Sequence, residues 1–265
     1  MTAPARRIVL PLLIGISLAV GGCYDSAVSL AKCTATYKTT ESIAQAFAPG
    51  ARLVARNAFG AVTVSGDDGA DCRITSRMYV HAPTRREAEQ IGRQVQVTTD
   101  IDGDTLQVVV ERPHLVDKRS VWVDLIVTVP SWAHVSCETG FGEIEVTDVE
   151  GDVGVATEFG RITCRGLASR YITAKSGFGA IEITCTEVCP ADLVADVWTG
   201  HGKVRFKAPE AFGGNLDIGT GFGSAKVQIP ISSRTEWTDD RKMATTGFGE
   251  GRLSLKSDFG SVWLR

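Results

Sequence analysis

Long apolar runs are scarce in this chain of 265 residues. The most apolar stretch, Ile8 to Val20, falls well short of the ~20 residues that a membrane-crossing helix needs. Excess charge is missing as well. The formal net charge is −3, which gives no general electrostatic affinity for nucleic acid, so no nucleic-acid partner is expected. Histidine is reduced to His81, His114, His134 and His201, none at ligand spacing from a cysteine, so neither zinc nor another metal is expected. Aromatic residues make up 7% of the chain. There are no long loops to wall a catalytic cleft, and the carboxylates are spread over turns and outward positions rather than gathered as an acid–base pair. No catalytic residue and no cofactor is indicated.

What the chain has instead is one short unit that keeps returning. It reads Thr139-Gly140-Phe141-Gly142, then Thr157-Glu158-Phe159-Gly160, then Ser176-Gly177-Phe178-Gly179. Later copies start at Thr199 (with His201 in the Phe place), at Thr220 with Phe222-Gly223, at Thr246 with Phe248-Gly249, and at Ser257 with Phe259-Gly260. An early copy holds Phe59-Gly60. A unit recurring at near-constant spacing marks a solenoid, whose repeats bury apolar surface only against their neighbours.

The columns around the Phe give the local structure. Three residues after it stand Val62, Ile144, Ile162, Ile181, Val204 and Val262, and five after it Val64, Val146, Cys164, Ile183 and Phe206. Four before it stand Cys137, Val155, Ala174, Val197 and Ile218. Period-two apolar positions on both sides predict a strand before and a strand after each corner. The Gly is expected to supply a positive φ for the corner, and the Phe rings to stack rung on rung. A Gly-x-Gly that cradles phosphate opens a helix; here the motif recurs and leads into strands, so it reads as a structural corner. His201 reads as an aromatic stand-in for Phe, with a ligand or base as the alternative.

Taken in order, the chain opens on a targeting segment, residues 1–22. Arg6 and Arg7 give a positive start before the short apolar run, which closes on Val20-Gly21-Gly22-Cys23. That end resembles a bacterial lipobox. The resemblance implies cleavage after Gly22 and a diacylglycerol on Cys23; the alternative is an ordinary export signal followed by a chance cysteine. Tyr24 rather than Asp after the cysteine points to the outer membrane if the host has two. Residues 23–46, polar and rich in Thr, Ser and Ala, read as a tether. Residues 47–130 read as an N-terminal β part. Within it, 83–95 is a helix with Thr84 as N-cap and Glu87 completing a capping box, and Asp102-Gly103-Asp104 turns a hairpin. Residues 131–265 are the solenoid proper. Export makes disulfides possible. Cys185 and Cys189, flanking a tight loop before Pro190, are candidates to pair; Cys137 and Cys164 read as small buried hydrophobes.

Phe47-Ala48-Pro49-Gly50, the first Phe-Gly corner, the helix with Arg86-Glu87-Ala88-Glu89, the hairpin, the strand closed by Pro130 and the repeats together resemble the DUF4097 family of candidate adhesins, also called toastrack domains. The resemblance covers residues 47–265, though the family's usual Thr-Gly-Ser-Gly here carries Phe in the Ser place. It implies an all-β, single-stranded β-helix on an envelope protein, non-enzymatic, with no catalytic motif to carry over. The expected role is an adhesin-like scaffold or interaction module bound to the membrane through Cys23. The alternatives are an envelope sensor of a peptide, lipid or glycan and, behind it, a polysaccharide-active enzyme. Partners would be an envelope protein or glycan.

Two surface features complete the reading. Carboxylates outnumber cations 11 to 4 between Glu138 and Asp196, and cations predominate from His201 onward. That is either a solvated face with cross-rung ion pairs or a polarised docking surface. The last strand, Ser261 to Arg265, has no successor in the sequence. With Trp263 pointing outward, its edge is either open, a template for self-association, or covered by the early domain or by a fold-back of the strand.

Overall fold

The structure, a computed structural model, describes residues 35–115 and 119–265. It is all-β: 65% strand and 4% helix, with solenoid-like stacking. The N-terminal part contains β1 (Ala35–Ala46), β2 (Arg52–Phe59), β3 (Val62–Asp67), β4 (Asp71–Ala82), α1 (Arg85–Gly92), β5 (Gln96–Asp102), β6 (Thr105–Glu111) and β7 (Ser120–Pro130). The repeats follow as β8 (His134–Phe141), β9 (Ile144–Thr147), β10 (Val153–Phe159), β11 (Ile162–Leu167), β12 (Tyr171–Phe178), β13 (Ile181–Cys185), β14 (Val194–His201) and β15 (Val204–Lys207). The chain ends with β16 (Gly214–Phe222), β17 (Ala225–Val227), β18 (Ser233–Trp237), β19 (Arg241–Thr246), β20 (Gly251–Phe259) and β21 (Val262–Leu264).

Each rung is one strand in each of two sheets, and in every rung but β6/β7 the two strands are joined at a Phe-Gly or His-Gly corner. Along the solenoid the order is β6/β7, β2/β3, β8/β9, β10/β11, β12/β13, β14/β15, β20/β21, β16/β17. Neighbouring rungs pair in parallel and in register, so that Ile162 meets Ile144 on one side and Ile181 on the other. The inward columns read from the sequence form the core: Ile144, Ile162, Ile181 and Val204 are at most 1% exposed, as are Ile172, Ala174, Ala195 and Val197 across from them. Alternation of buried and exposed positions along β12 follows directly from the strand's period of two.

Five expectations are corrected. Residues 35–46 are no tether: β1 pairs antiparallel with β4 along its whole length. It is polar because it is the outer strand of its sheet, and it gains its place by backbone pairing with a long neighbour rather than by an apolar face. The division at residue 130 is no structural break, because β2 and β3 pair with β8 and β9 and extend the same two sheets. The helix is shorter than 83–95. Thr84 caps it, accepting from the Glu87 amide at 3.3 Å, and it ends at Gly92, which lies beneath the Tyr37 ring where a Cβ would not fit. The Glu87 carboxylate takes the Arg119 guanidinium Nε at 2.6 Å.

The fourth correction concerns the end of the chain. β21 is not an edge. It lies between β15 and β17, paired in parallel with both, and β20 likewise lies between β14 and β16. The chain lays down the outermost rung, β16/β17, adds the hairpin β18–β19 beyond it, then returns to fill the slot inside. This removes the open edge on which self-association through the last strand rested. Phe248-Gly249 is accordingly no corner: it is the turn that leads from β19 into β20, with Phe248 fully exposed. Leu253 and Leu255 stand six and four residues before Phe259 and fill its inward columns.

The fifth is the role of the corner glycine. Gly60, Gly202, Gly223 and Gly260 have φ of 131°, 157°, 159° and 156°, so the expected positive φ holds at those corners, whereas Gly142, Gly160 and Gly179 turn the same corner without one. What the corners share is lack of room. A Cβ on Gly142, Gly160, Gly179, Gly202, Gly223 or Gly260 would fall 1.8–2.2 Å from the carbonyl oxygen of the corner glycine one rung away. Gly160→Ala is therefore expected to cost about 2–4 kcal/mol in urea unfolding. Gly154→Ala, whose new Cβ would meet nothing closer than 4.0 Å, is expected to cost under about 0.5 kcal/mol. Equal costs at the two positions would show that close approach of the corners is not what selects glycine.

Candidate functional site

The corner is a complete hydrogen-bonded unit, and it explains a residue whose role the sequence left open: the Thr or Ser two places before the Phe. Thr139 Oγ1 donates to the Gly60 carbonyl at 3.1 Å and Thr157 Oγ1 to Gly142 at 3.1 Å. Ser176 donates to Gly160 at 3.0 Å, Thr199 to Gly179 at 2.8 Å and Ser257 to Gly202 at 2.8 Å. In return each glycine amide donates to the carbonyl of the next rung's ring residue, as Gly142 does to Phe159 at 3.0 Å. Buried backbone groups need partners, and these hydroxyls, themselves buried, supply them. The signal was the constancy of Thr or Ser at that place. At the first corner Asn57 takes over, its Nδ2 donating to the Val123 carbonyl at 2.7 Å.

Pinned this way, the corner side chains project outward in a row. Phe59, Phe141, Phe159, Phe178, His201, Phe259 and Phe222 stack in that order, with centroids 4.5–5.0 Å apart and planes within 12°. His201 fills a ring position between Phe178 and Phe259. The Arg112 guanidinium lies 3.8 Å from the Phe59 ring centroid, and its partial burial lowers its pKa from the ordinary value. Trp122 meets Phe59 edge-on. Phe141, Phe159, Phe178 and Phe259 are 38–50% exposed and Phe222 is 71% exposed. Stacking covers ring faces and leaves edges to solvent, so the corner presents an apolar ridge, not a set of open aromatic platforms.

Beside the ridge, on β8, β10, β12 and β14, runs an open trough of about 410 Å³. Ala156 and Gly177 line it together with Phe159, Phe178, Trp198, Glu138, Glu158 and Lys175. A second hollow of about 320 Å³ lies between α1 and Pro113, His114, Leu115 and Arg119, with the Arg119–Glu87 pair in its lining.

The opposite face carries the charge gradient. Reading along the sheet, Thr63, Glu145, Thr163, Glu182, Arg205, Trp263 and Lys226 form one column. Thr163, an outward position by the strand's period of two, is only 8% exposed between the two glutamates. Trp263 does point outward, with Arg205 and Lys226 at 5.6 and 5.3 Å from its ring. Ion pairs cross from rung to rung, Arg165–Glu145 at 2.7 Å and Arg170–Asp192 at 2.5 Å. The solvated-face reading accounts for these; exposed pairs contribute little each.

Cys23 and Cys33 lie outside the described residues. Cys185 and Cys189 are side by side as free thiols. Their mutual hydrogen bond raises the Cys185 pKa and lowers that of Cys189, and Cys189 Sγ donates to the Ser169 carbonyl at 3.1 Å. Oxidation from this contact would close the bridge expected from their spacing. Burial pushes the Cys72, Cys137 and Cys164 thiols up to about 12.

No family model matches the chain, and no curated protein matches it. Several solved structures resemble it. A candidate cell adhesion protein from Clostridium sporogenes is 9% identical, covers 85% of this chain and 99% of its own, and superposes with a TM-score of 0.46. A candidate adhesin from Bacteroides fragilis is 10% identical over 86% and 97% with a TM-score of 0.42. A candidate lipid binding protein from Parabacteroides distasonis is 10% identical over 86% and 96% with a TM-score of 0.34. They assign no residue of this chain a role.

Two outcomes follow from the ladder and the thiols. Phe159 stacks on two rings and Phe222 on one, so Phe159→Ala should destabilise the chain by about 1 kcal/mol more than Phe222→Ala. Equal shifts of the urea midpoint would mean that the rings do not support one another. The buried thiols keep their protons in the folded state up to about pH 12, whereas unfolded cysteine loses its proton near 9. Their contribution to stability is thus complete below pH 9 and is lost as pH rises from 9 toward 12. The urea midpoint should fall over pH 9–11, and fall less steeply in a Cys137→Ala/Cys164→Ala variant.

Proposed function

We propose that the chain is a non-enzymatic, lipid-anchored module of the bacterial cell envelope. In this reading an adhesin-like β-solenoid holds a rigid binding surface close to a membrane. The observation that carries the proposal is the row of seven rings along one corner, half open to solvent and bordered by the trough. A contiguous apolar band of this kind on a surface marks a contact site more often than not, and it is built on a scaffold with paired strands on both sides, which holds it in shape. Among the described residues no helix is long and apolar enough to cross a membrane, so attachment in this reading rests on Cys23.

In this reading the anchor would be short. Because β1 begins at Ala35, the segment from Cys23 can reach no more than roughly 40 Å even when fully extended. The end of the solenoid built from β1, β4 and α1 would face the bilayer, with the ring ladder leading away from it. Cys23→Ser is expected to move the protein from the membrane to the soluble fraction. Photo-crosslinkers placed at positions 178 and 222 in the anchored protein are expected to capture an envelope component. An unchanged membrane fraction in the Cys23 variant would refute the anchor, and an empty result at both ladder positions would refute the contact surface.

A further inference from the structure

We propose that the trough beside the ladder binds a neutral, flat glycan segment, one pyranose ring seated on the indole of Trp198 and the next over Ala156. This rests on reading the protein as an envelope interaction module and names the ligand class of that surface.

The geometry begins with Trp198. Its Nε1 donates to Asp258 Oδ1, one rung along, at 3.2 Å. Its six-membered ring passes over Gly200, within 3.6 Å of where a Cβ would stand. The indole is therefore laid across the sheet rather than standing off it, and it remains 37% exposed. This is the one aromatic group bordering the trough that is not covered on its faces by stacked neighbours. Next to it the floor is bare. Gly177 is glycine for a backbone reason, since a Cβ would meet the Glu158 carbonyl at 2.7 Å, but the same absence lowers the surface. Lys175 stands between Ala156 and Trp198 in register, so it rises between the two ring positions; it and Glu158 make no hydrogen bond or ion pair among the described residues, which leaves one donor group and one acceptor group free.

An open, shallow trough with an apolar floor and a polar rim discriminates among ligands. An acyl chain would keep much of its length in water and gain little from burial. An extended peptide would find no free strand edge there, because β8, β10, β12 and β14 are all paired on both sides. A pyranose ring is itself apolar on its faces and polar around its rim, so one face can bury on indole and alanine while its hydroxyls meet Lys175 and Glu158. The surrounding excess of carboxylates opposes an anionic polysaccharide, which leaves a neutral one.

The test uses the full chain in detergent, its fold checked by far-UV circular dichroism. Cellohexaose and the hexamer of N-acetylglucosamine are titrated by calorimetry, with polygalacturonate and oleate alongside. At least one neutral hexamer should saturate, with Trp198→Ala and Ala156→Leu each weakening it tenfold or more and Thr173→Leu, on the same face outside the trough, leaving it unchanged. Absence of saturation by both hexamers into the millimolar range overturns the proposal. So does binding that Trp198→Ala and Ala156→Leu leave intact, or a preference for polygalacturonate or oleate. Crosslinking at position 222 in the Trp198→Ala background separates the two levels: continued capture of an envelope component keeps the contact surface and rejects the glycan site alone.

Discussion

The approach of one corner glycine to the next is the constraint on which the structure depends. With no side chain between them, the backbones of successive corners come close enough for the glycine amide to reach the next ring residue's carbonyl. The Thr or Ser hydroxyl then reaches the glycine's own carbonyl. Both polar groups are satisfied out of water, and the rungs are locked in register. Register in turn decides everything else. A slip of one residue would turn Ile162 and Ile181 outward and bring Thr163 and Glu182 into the core. The ring ladder is a consequence of the same lock, since rings at equivalent positions one strand spacing apart have little choice but to stack.

The two ends of the solenoid are closed by one device. At the start, the first rung in sequence, β2/β3, lies inside β6/β7; at the finish, the last rung, β20/β21, lies inside β16/β17. At the start the outermost strands are antiparallel additions, β1 and β4 on one sheet and β5 on the other; at the finish the β18–β19 hairpin caps one sheet, while β17 is the outer strand of the other. A repeat stack left bare would offer unpaired backbone to any passing strand. Here the chain's terminal rungs are held by partners on both sides.

Around the shaft the surfaces differ in character. On the face with Glu145 and Arg205, charge is taken up by neighbouring rungs, Glu145 by Arg165 and Arg205 by the Trp263 ring. The corner face keeps its rings edge-out, and the trough beside them keeps Lys175 and Glu158 unpaired. The difference follows from position on the rung: outward strand positions allow long side chains to meet across 5 Å or so, whereas corner positions allow only stacking.

The repeat, its two strands, the inward columns, the stacked rings and His201's place among them were legible in the sequence, because each depends on residues a fixed distance from one Phe. The period alone settles which side of a strand a residue faces. The order of the rungs was not legible. Nothing within Ser261 to Arg265 tells that Val262 and Leu264 pair with β15 and β17 at once, and Phe248-Gly249 imitates a corner it does not form. β1 was hidden because an outer strand needs no apolar alternation when backbone pairing alone places it. The trough was hidden too: Ala156, Gly177 and Trp198 come from three different rungs, and only the parallel stacking of those rungs, with an indole drawn flat by Asp258, makes them one surface. The sequence by itself determined what a rung is; the tertiary structure decided which rung lies beside which, because pairing between strands is a choice among many near-equivalent partners that no single repeat contains.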